Sequence, residues 1–275
     1  MKKISIQGAR GAFHEVAANA YFNEPIDLIP VAQFDNLVDD VANGISDLGV
    51  IAIENTLAGT IHQNLKLVME SGLKVKGEVV LRIKHYLGVY PGSQVAQLEE
   101  VRSHYMAINQ CRSFFNDFPN IKLINEGNTA ICAQQVMEFK NSKIGAIASK
   151  EAMDLYGLDI VASEIESNKL NFTRFLIIGK DDDTFDAKSN KATFHFTLSN
   201  ERGVLSKLLN QLHIVDVNLT KVESLPIEGK PWCYQFFIDM EYENELQINM
   251  AKTVINNNTE SNILLGKYKK SKHSL

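Results

Sequence analysis

The sequence predicts an α/β protein in two parts: a bilobed α/β body over residues 1–180 and a small βαββαβ module over residues 192–275. Three observations carry this. In the first half, short apolar runs alternate with segments whose apolar residues recur at three- and four-residue steps, as in strands alternating with amphipathic helices. Residues 181–191, in the charged and apolar-poor stretch that begins at Lys180, read as a linker. After the linker the alternation restarts on the scale of one small domain.

Lys3–Gln7 is strand-like, and Phe13, Val16, Ala17, Ala20 and Tyr21 then mark one face of a helix. Asp27–Val31 is a second strand, and Phe34, Leu37, Val38 and Val41 mark a second helix. Leu48–Ile53 is continuously apolar, as in a strand buried on both faces, and Ile61–Met69 returns to helix. This order predicts a mostly parallel sheet with helices on both sides. Glu78–Tyr90 reads as one long β-rich segment closed by the turn Pro91-Gly92. Beyond it come a strand from Val101, a helix over Ile108–Phe118, a strand over Ile121–Ile124 and a helix over Thr129–Phe139. Ile144–Ala148 is strand, Ser149 caps a short helix, and Asp159–Ile165 and Phe172–Ile178 close the body as strands. Two such units joined by extended segments predict two lobes, roughly 1–80 plus 165–180 and 81–164, with a ligand cleft between them. In the module, Ala192–Leu198, Asn218–Ser224, Tyr234–Met240 and Ile263–Tyr268 read as strands, and Gly203–His213 and Gln247–Ile255 as helices.

Composition narrows the class. Hydrophobic residues make up 45% and charged residues 22%, enough for a full core. The net charge is -5, and without a long basic stretch this argues against nucleic acid as a partner. Lys267-Tyr268-Lys269-Lys270 reads as a short solvated end. No apolar run approaches membrane-spanning length, and no apolar segment of signal-peptide type follows Lys2-Lys3, so neither membrane nor secretion is expected. Cys111, Cys132 and Cys233 are odd in number and never paired as C-x-x-C, which points to a reducing, cytoplasmic setting. His62, His104 and His195 have no paired metal-ligand spacing, so no metal is expected.

Polar residues concentrate at a few strand ends. Glu54-Asn55-Thr56-Leu57-Ala58-Gly59-Thr60 follows the buried strand, where open α/β sheets place ligands. Asn55, Thr56 and Thr60 with free helix-start N–H groups suit an anion; a turn with a helix cap fits the same loop. Ser103-His104 with Gln110-Cys111, and Glu126-Gly127-Asn128-Thr129, are further polar sites, though Asn128 or Thr129 fits a cap equally. His85, in an extended run, fits a structural or a functional role. In Asn171–Phe175, Thr173 and Phe175 share one strand face and Phe172 and Arg174 the other. Strand propensity alone would explain Thr173, and an ion pair would explain Arg174. In the module, Gly203-Val204-Leu205 opens a helix and Asn218–Pro226 ends a strand; such a glycine admits a ligand close to the backbone, suiting an amino acid held between two copies.

In this order, these elements resemble prephenate dehydratase. Gly8-Ala9-Arg10-Gly11-Ala12-Phe13 resembles the family's glycine-rich opening, and Ile53–Gly59 its I-E-N-[ST]-x-x-G signature. Ser103-His104 with Gln110-Cys111 resembles its S-H…Q-C element, and Asn171–Phe175 its N-x-T-R-F signature. The C-terminal part resembles an ACT domain, through Gly203-Val204-Leu205 and Glu223-Ser224-Leu225-Pro226. The resemblance implies a periplasmic-binding-protein-like (type II) body and a ferredoxin-like module. It implies decarboxylating dehydration of prephenate without a cofactor, with Thr173 donating the proton and Glu54, Asn55 and Gln110 as further catalytic residues. Thr56, Ser103, Asn128, Thr129, Arg174, Phe175 and His85 become substrate contacts, Arg174 and helix-start N–H groups suiting the carboxylates. It also implies inhibition by L-phenylalanine through Gly203, Val204, Leu205, Asn218, Leu219, Glu223 and Ser224, in a homodimer or homotetramer. The chain departs from the family at His14 (Ser or Thr), at Tyr105-Met106 (Pro-Gln) and at Leu225 (Arg). Arogenate is the alternative substrate, and a non-enzymatic bilobed solute-binding protein the alternative class. No chorismate mutase module is expected ahead of Ile4.

Overall fold

The computed structural model describes residues 1–181 and 188–271; most of the expected linker, 182–187, lies outside the described residues. In chain order the first lobe opens with β1 (Lys2–Gln7), α1 (Phe13–Tyr21), β2 (Ile26–Val31), α2 (Phe34–Asn43), β3 (Leu48–Asn55), the short β4 (Gly59–Thr60), α3 (His62–Glu70) and β5 (Lys74–Arg82). The second lobe follows as β6 (Tyr86–Val89), β7 (Glu100–Ser103), α4 (Tyr105–Phe115), β8 (Lys122–Asn125), α5 (Thr129–Phe139), β9 (Ile144–Ala148), α6 (Lys150–Tyr156) and β10 (Asp159–Ala162). The chain then returns to the first lobe as β11 (Phe172–Gly179). The C-terminal module is β12 (Lys191–Thr197), α7 (Val204–Ile214), β13 (Asn218–Pro226), β14 (Tyr234–Glu241), α8 (Glu245–Asn258) and β15 (Ser261–Tyr268).

The first sheet has the order β2-β1-β3-β11-β5, with β4 beside β3. β1 runs parallel to β2 and β3, but β11 is antiparallel to both of its neighbours, β3 and β5. The expectation of a mostly parallel sheet is thus corrected. β5 leaves this lobe and β11 re-enters it from the other, so the two run in opposite directions. The second sheet, β10-β6-β9-β7-β8, is likewise mixed.

The single strand expected over Glu78–Tyr90 is two strands in two sheets. Ile83-Lys84-His85 between them crosses from lobe to lobe, and residues 163–171 cross back beside it. The crossings are tied: Ile83 N–H donates to the Asn171 carbonyl at 2.8 Å, and Ile165 N–H to the His85 carbonyl at 2.9 Å. A crossing is extended backbone with apolar residues, so periodicity cannot tell it from a strand. α4 also starts earlier than expected, because His104 Nδ1 accepts the Met106 N–H at 3.3 Å and caps it.

The module's sheet has the order β13-β14-β12-β15, antiparallel throughout. Strand alternation divides it. Phe194, Phe196, Ile238 and Met240 pack under the helices with Leu208, Leu212, Ile248 and Ile255. Phe237, Leu225, Leu265 and Tyr268 instead share one core with Leu65, Val68 and Val75 of the first lobe. Gly266 permits this contact, since a side chain there would overlap the Val75 carbonyl. Burying a side chain of this size is worth about 1.5–3 kcal/mol, so the shared core is a firm joint. The reading of Lys267–Lys270 as a solvated end is corrected: Tyr268 is fully buried in that joint, whereas Lys269 and Lys270 are exposed.

Candidate active site

A cavity of about 500 Å³ lies between the lobes. Ala12, Phe13 and His14 enter it from the start of α1, Thr60 and Ile61 from the start of α3, and His104–Ala107 from the start of α4. Asn128 and Thr129 do so from the start of α5, and Asn55, Thr173 and Phe175 from β3 and β11. Among the described residues, none of those lining it is Asp, Glu, Lys or Arg. Four helix N-termini therefore supply its positive potential, and α1 and α3 have no side chain capping their first-turn N–H groups.

Its polar centre is a chain of amides. The ladder pairs Thr173 with Asn55 and Arg174 with Glu54, so the first two share a face. The Asn55 side-chain oxygen Oδ1 accepts from the Leu57 and Ala58 N–H groups, each at 2.9 Å, in the turn into β4. Asn55 Nδ2 donates to Thr173 Oγ1 at 2.9 Å and to Asn171 Oδ1 at 2.8 Å. Asn171 Nδ2 donates to Gln110 Oε1 at 2.9 Å, and the same oxygen pairs with His85 Nε2 at 2.8 Å. An acceptor there requires the proton on His85 Nε2, leaving Nδ1 as a lone pair, buried without a protein partner. Burial lowers the His85 pKa against the opposing pull of Gln110 and Glu166. Burial also pushes His14 down to about 4 and lowers His104. The cleft at neutral pH is therefore polar but uncharged.

The structure separates the expected site residues. Asn55, Gln110, His85, Asn128, Thr129, Thr173 and Phe175 line the cleft. Glu54 and Arg174 do not, and the expectations of a catalytic Glu54 and a substrate-binding Arg174 are corrected. Each is one residue from a cleft-facing neighbour, and alternation turns it to the reverse of the sheet. There Arg174 Nε donates to Glu78 Oε2 at 2.7 Å, Nη1 to Asp239 Oδ2 at 2.5 Å and Nη2 to the Tyr268 hydroxyl at 3.2 Å. Burial opposes the Arg174 charge, but Asp239, Tyr268 and Glu78 outweigh it and hold its pKa above the ordinary value. Glu54 lies 3.2 Å from Lys221 Nζ and 3.8 Å from Arg174 Nη1.

Thr56 and Ser103 are also structural. Thr56 Oγ1 donates to the Leu170 carbonyl at 2.8 Å and accepts the Phe172 N–H at 2.9 Å, fastening β3 to the entry of β11. Ser103 Oγ donates to the Ile147 carbonyl at 2.6 Å, tying β7 to β9. In the module, Gly203 starts α7 at a φ of 79°, Val204, Leu205 and Leu219 pack on the core, and Asn218 and Ser224 are exposed. Glu223 is not free for a ligand: its carboxylate accepts from Thr60 Oγ1 at 2.7 Å and pairs with His62 Nε2 at 3.1 Å, both in the first lobe. Leu225 is buried in the shared core, which accounts for an apolar residue there. The sequence reading assigned no role to Asn171, although it stands in a quoted motif; fully buried, it is the middle link of the amide chain. The departures His14, Tyr105 and Met106 all line the cleft.

Two lobes, a neutral polar cleft between them and a module docked behind it define a bilobed α/β enzyme with an appended α+β unit. Residues 4–183 match the family model described as prephenate dehydratase. The chain belongs to the prephenate dehydratase family. It is 32% identical over 98% of its length to a bifunctional chorismate mutase/prephenate dehydratase of Aquifex aeolicus, covering 74% of that protein. It is 34% identical over 87% of its length to arogenate dehydratase/prephenate dehydratase 2 of Arabidopsis thaliana, covering 65% of that protein. Among solved structures it resembles GqqA, described as a novel type of quorum quenching acylase, with a TM-score of 0.88, 30% identity and 98% of both chains covered. It also resembles prephenate dehydratase of Arthrobacter aurescens in complex with L-Phe, with a TM-score of 0.88, 23% identity, and 97% of this chain and 89% of that chain covered.

Proposed function

We propose that this protein is a prephenate dehydratase, converting prephenate to phenylpyruvate, water and carbon dioxide in phenylalanine biosynthesis. The observation that carries this reading is the 2.9 Å hydrogen bond from Asn55 Nδ2 to Thr173 Oγ1. Because Oγ1 accepts from the amide, the Thr173 O–H remains to donate into the cleft, and the same amide stabilises alkoxide-like charge as the proton leaves. In the reaction, the bond from the ring to its carboxylate breaks and its electron pair becomes a ring double bond. The bond to the ring hydroxyl breaks at the same time, and Thr173 protonates the departing oxygen. Water then reprotonates Thr173, so each turnover consumes one proton along with the prephenate dianion. A positioned proton donor contributes about 10²–10⁴-fold. The remaining carboxylate is held by helix-start N–H groups and by the Gln110 amide, in place of the arginine that sequence reasoning chose. Gln110 offers that amide's NH₂, since its oxygen is occupied by Asn171 and His85.

An acylase reading fits less well. A hydroxyl that accepts an amide hydrogen bond is a better acid and a poorer nucleophile, and His85 Nε2 is engaged by Gln110 rather than by Thr173. The C-terminal module is read as an ACT domain that binds phenylalanine between copies in a homodimer or homotetramer and lowers the rate. The test is to supply the purified protein with prephenate, arogenate or an N-acyl amide in parallel, each with and without phenylalanine. Phenylpyruvate is expected from prephenate at the highest rate, with inhibition by phenylalanine. Turnover of arogenate or the acyl amide without phenylpyruvate from prephenate overturns the reading.

A further inference from the structure

We propose that Asp239, in the C-terminal module, is a positioning residue for Thr173, so that docking of the module completes the cleft from behind. The proposal rests on the reading of Thr173 as the proton donor. Thr173 and Arg174 are consecutive, one facing the cleft and the other held by the module. All three nitrogens of the Arg174 guanidinium group have partners there or on β5: Glu78, Asp239 and Tyr268. Asp239 is itself fully buried and has no slack, because its second oxygen accepts from Thr193 Oγ1 at 2.5 Å. Thr193 Oγ1 in turn lies 2.7 Å from the Tyr268 hydroxyl.

The clamp sits beside an irregularity of the sheet. The pairing of β11 with β3 shifts register between Arg174 and Phe175. The residue skipped is Ile53 of β3, between Ala52 and Glu54, so the irregularity re-aims side chains on the β3 side, close to Asn55, while Arg174 keeps its pairing with Val80 of β5. An external hold on Arg174 therefore bears on how Thr173 meets Asn55 across that irregularity. A second hold acts on the partner strand: Lys221 Nζ donates to Thr60 Oγ1 at 2.7 Å and lies 3.2 Å from Glu54, the residue before Asn55. The buried charges balance, with Arg174 and Lys191 against Glu78 and Asp239. A balanced buried network adds little net stability over apolar packing, so its distinctive contribution is geometry. Geometry is what a proton donor needs, since a misplacement of about 1 Å can cost about 10²-fold in rate.

The experiment uses the full chain with Asp239→Asn and Tyr268→Phe, each alone and on a Thr173→Val background. Misplacement predicts a kcat loss of about 10-fold for Asp239→Asn and about 3-fold for Tyr268→Phe, with KM within about 2-fold. On the Thr173→Val background both losses should vanish, because the group being positioned is gone. Unchanged kcat in the folded variants, or the same loss repeated on Thr173→Val, overturns the proposal. Where Asp239→Asn does not fold, Tyr268→Phe, which removes one buried oxygen, decides the matter alone. A wild-type rate in Thr173→Val by itself would instead remove Thr173 from the mechanism, a failure of the underlying reading that the single variant reports separately.

Discussion

On the cleft side of β3 and β11 stand Asn55, Thr173 and Phe175, all neutral, whereas on the reverse of the same strands stand Glu54 and Arg174, set among Glu78, Lys221 and Asp239. Both faces are largely shielded from water, yet they are built on opposite rules. The reverse face can hold charge because every charge there has a fixed partner of opposite sign, the condition under which burial is tolerated. The cleft keeps no charged partner, and its polar groups are amides, hydroxyls, imidazoles and backbone N–H groups. A dianionic substrate then meets dipoles already in place rather than a cation that would have to be freed from a counter-ion. The comparison teaches that adjacent residues of one motif can meet opposite surroundings, Thr173 the neutral cleft and Arg174 the charged joint with the module.

The comparison can be broken at three points. The largest effect is expected on the reverse face. Glu78→Ala removes the carboxylate shared by Arg174 and Lys191, and losing one member of a buried pair costs about 3–5 kcal/mol in urea unfolding. An unchanged unfolding free energy would mean that this face is not held by its charges. Next comes the cleft face. Thr173→Val should lower kcat by about 10²-fold, equivalent to about 2.7 kcal/mol of barrier, with unfolding little affected, and Thr173→Ser should keep much of the rate. A loss of stability without a loss of rate would reverse the roles assigned to the two faces.

The smallest effect tests the neutrality of the cleft through pH. The His14 pKa falls from 6.5 to about 4 in the folded protein because burial disfavours the cation. Between these values the unfolded chain binds a proton that the folded chain refuses, so stability decreases as pH falls through that window. The residue as a whole is partly exposed, and about 2 kcal/mol is expected between pH 7 and pH 4. His14→Phe should flatten this part of the profile, seen as a smaller shift of the urea midpoint on acidification; an identical profile would place the acid sensitivity elsewhere.

Much of this was legible in the chain. Periodicity located the helices and most strands, because a buried stripe or an alternating face is a property of local sequence. The motifs brought Asn55, Gln110 and Thr173 forward, and alternation alone separated Thr173 from Arg174. Which of the two faces met the cleft was not legible. That depends on what covers the other side, and the covering strands β12, β14 and β15 begin well after Arg174 in the chain. For the same reason the pairing of Glu223 with Thr60 and His62, the burial of Tyr268 and the apolar role of Leu225 were out of reach of local patterns. The lobe crossing at Ile83-Lys84-His85 was hidden because extended backbone reads alike within a sheet and between sheets. The amino-acid sequence by itself determined the local elements, their alternating faces and the polar motifs at the strand ends. The tertiary structure decided which face became the cleft, because the buried charge of Arg174 is held not by Glu78 of its own lobe alone but also by Asp239 and Tyr268, which the docked module brings within reach.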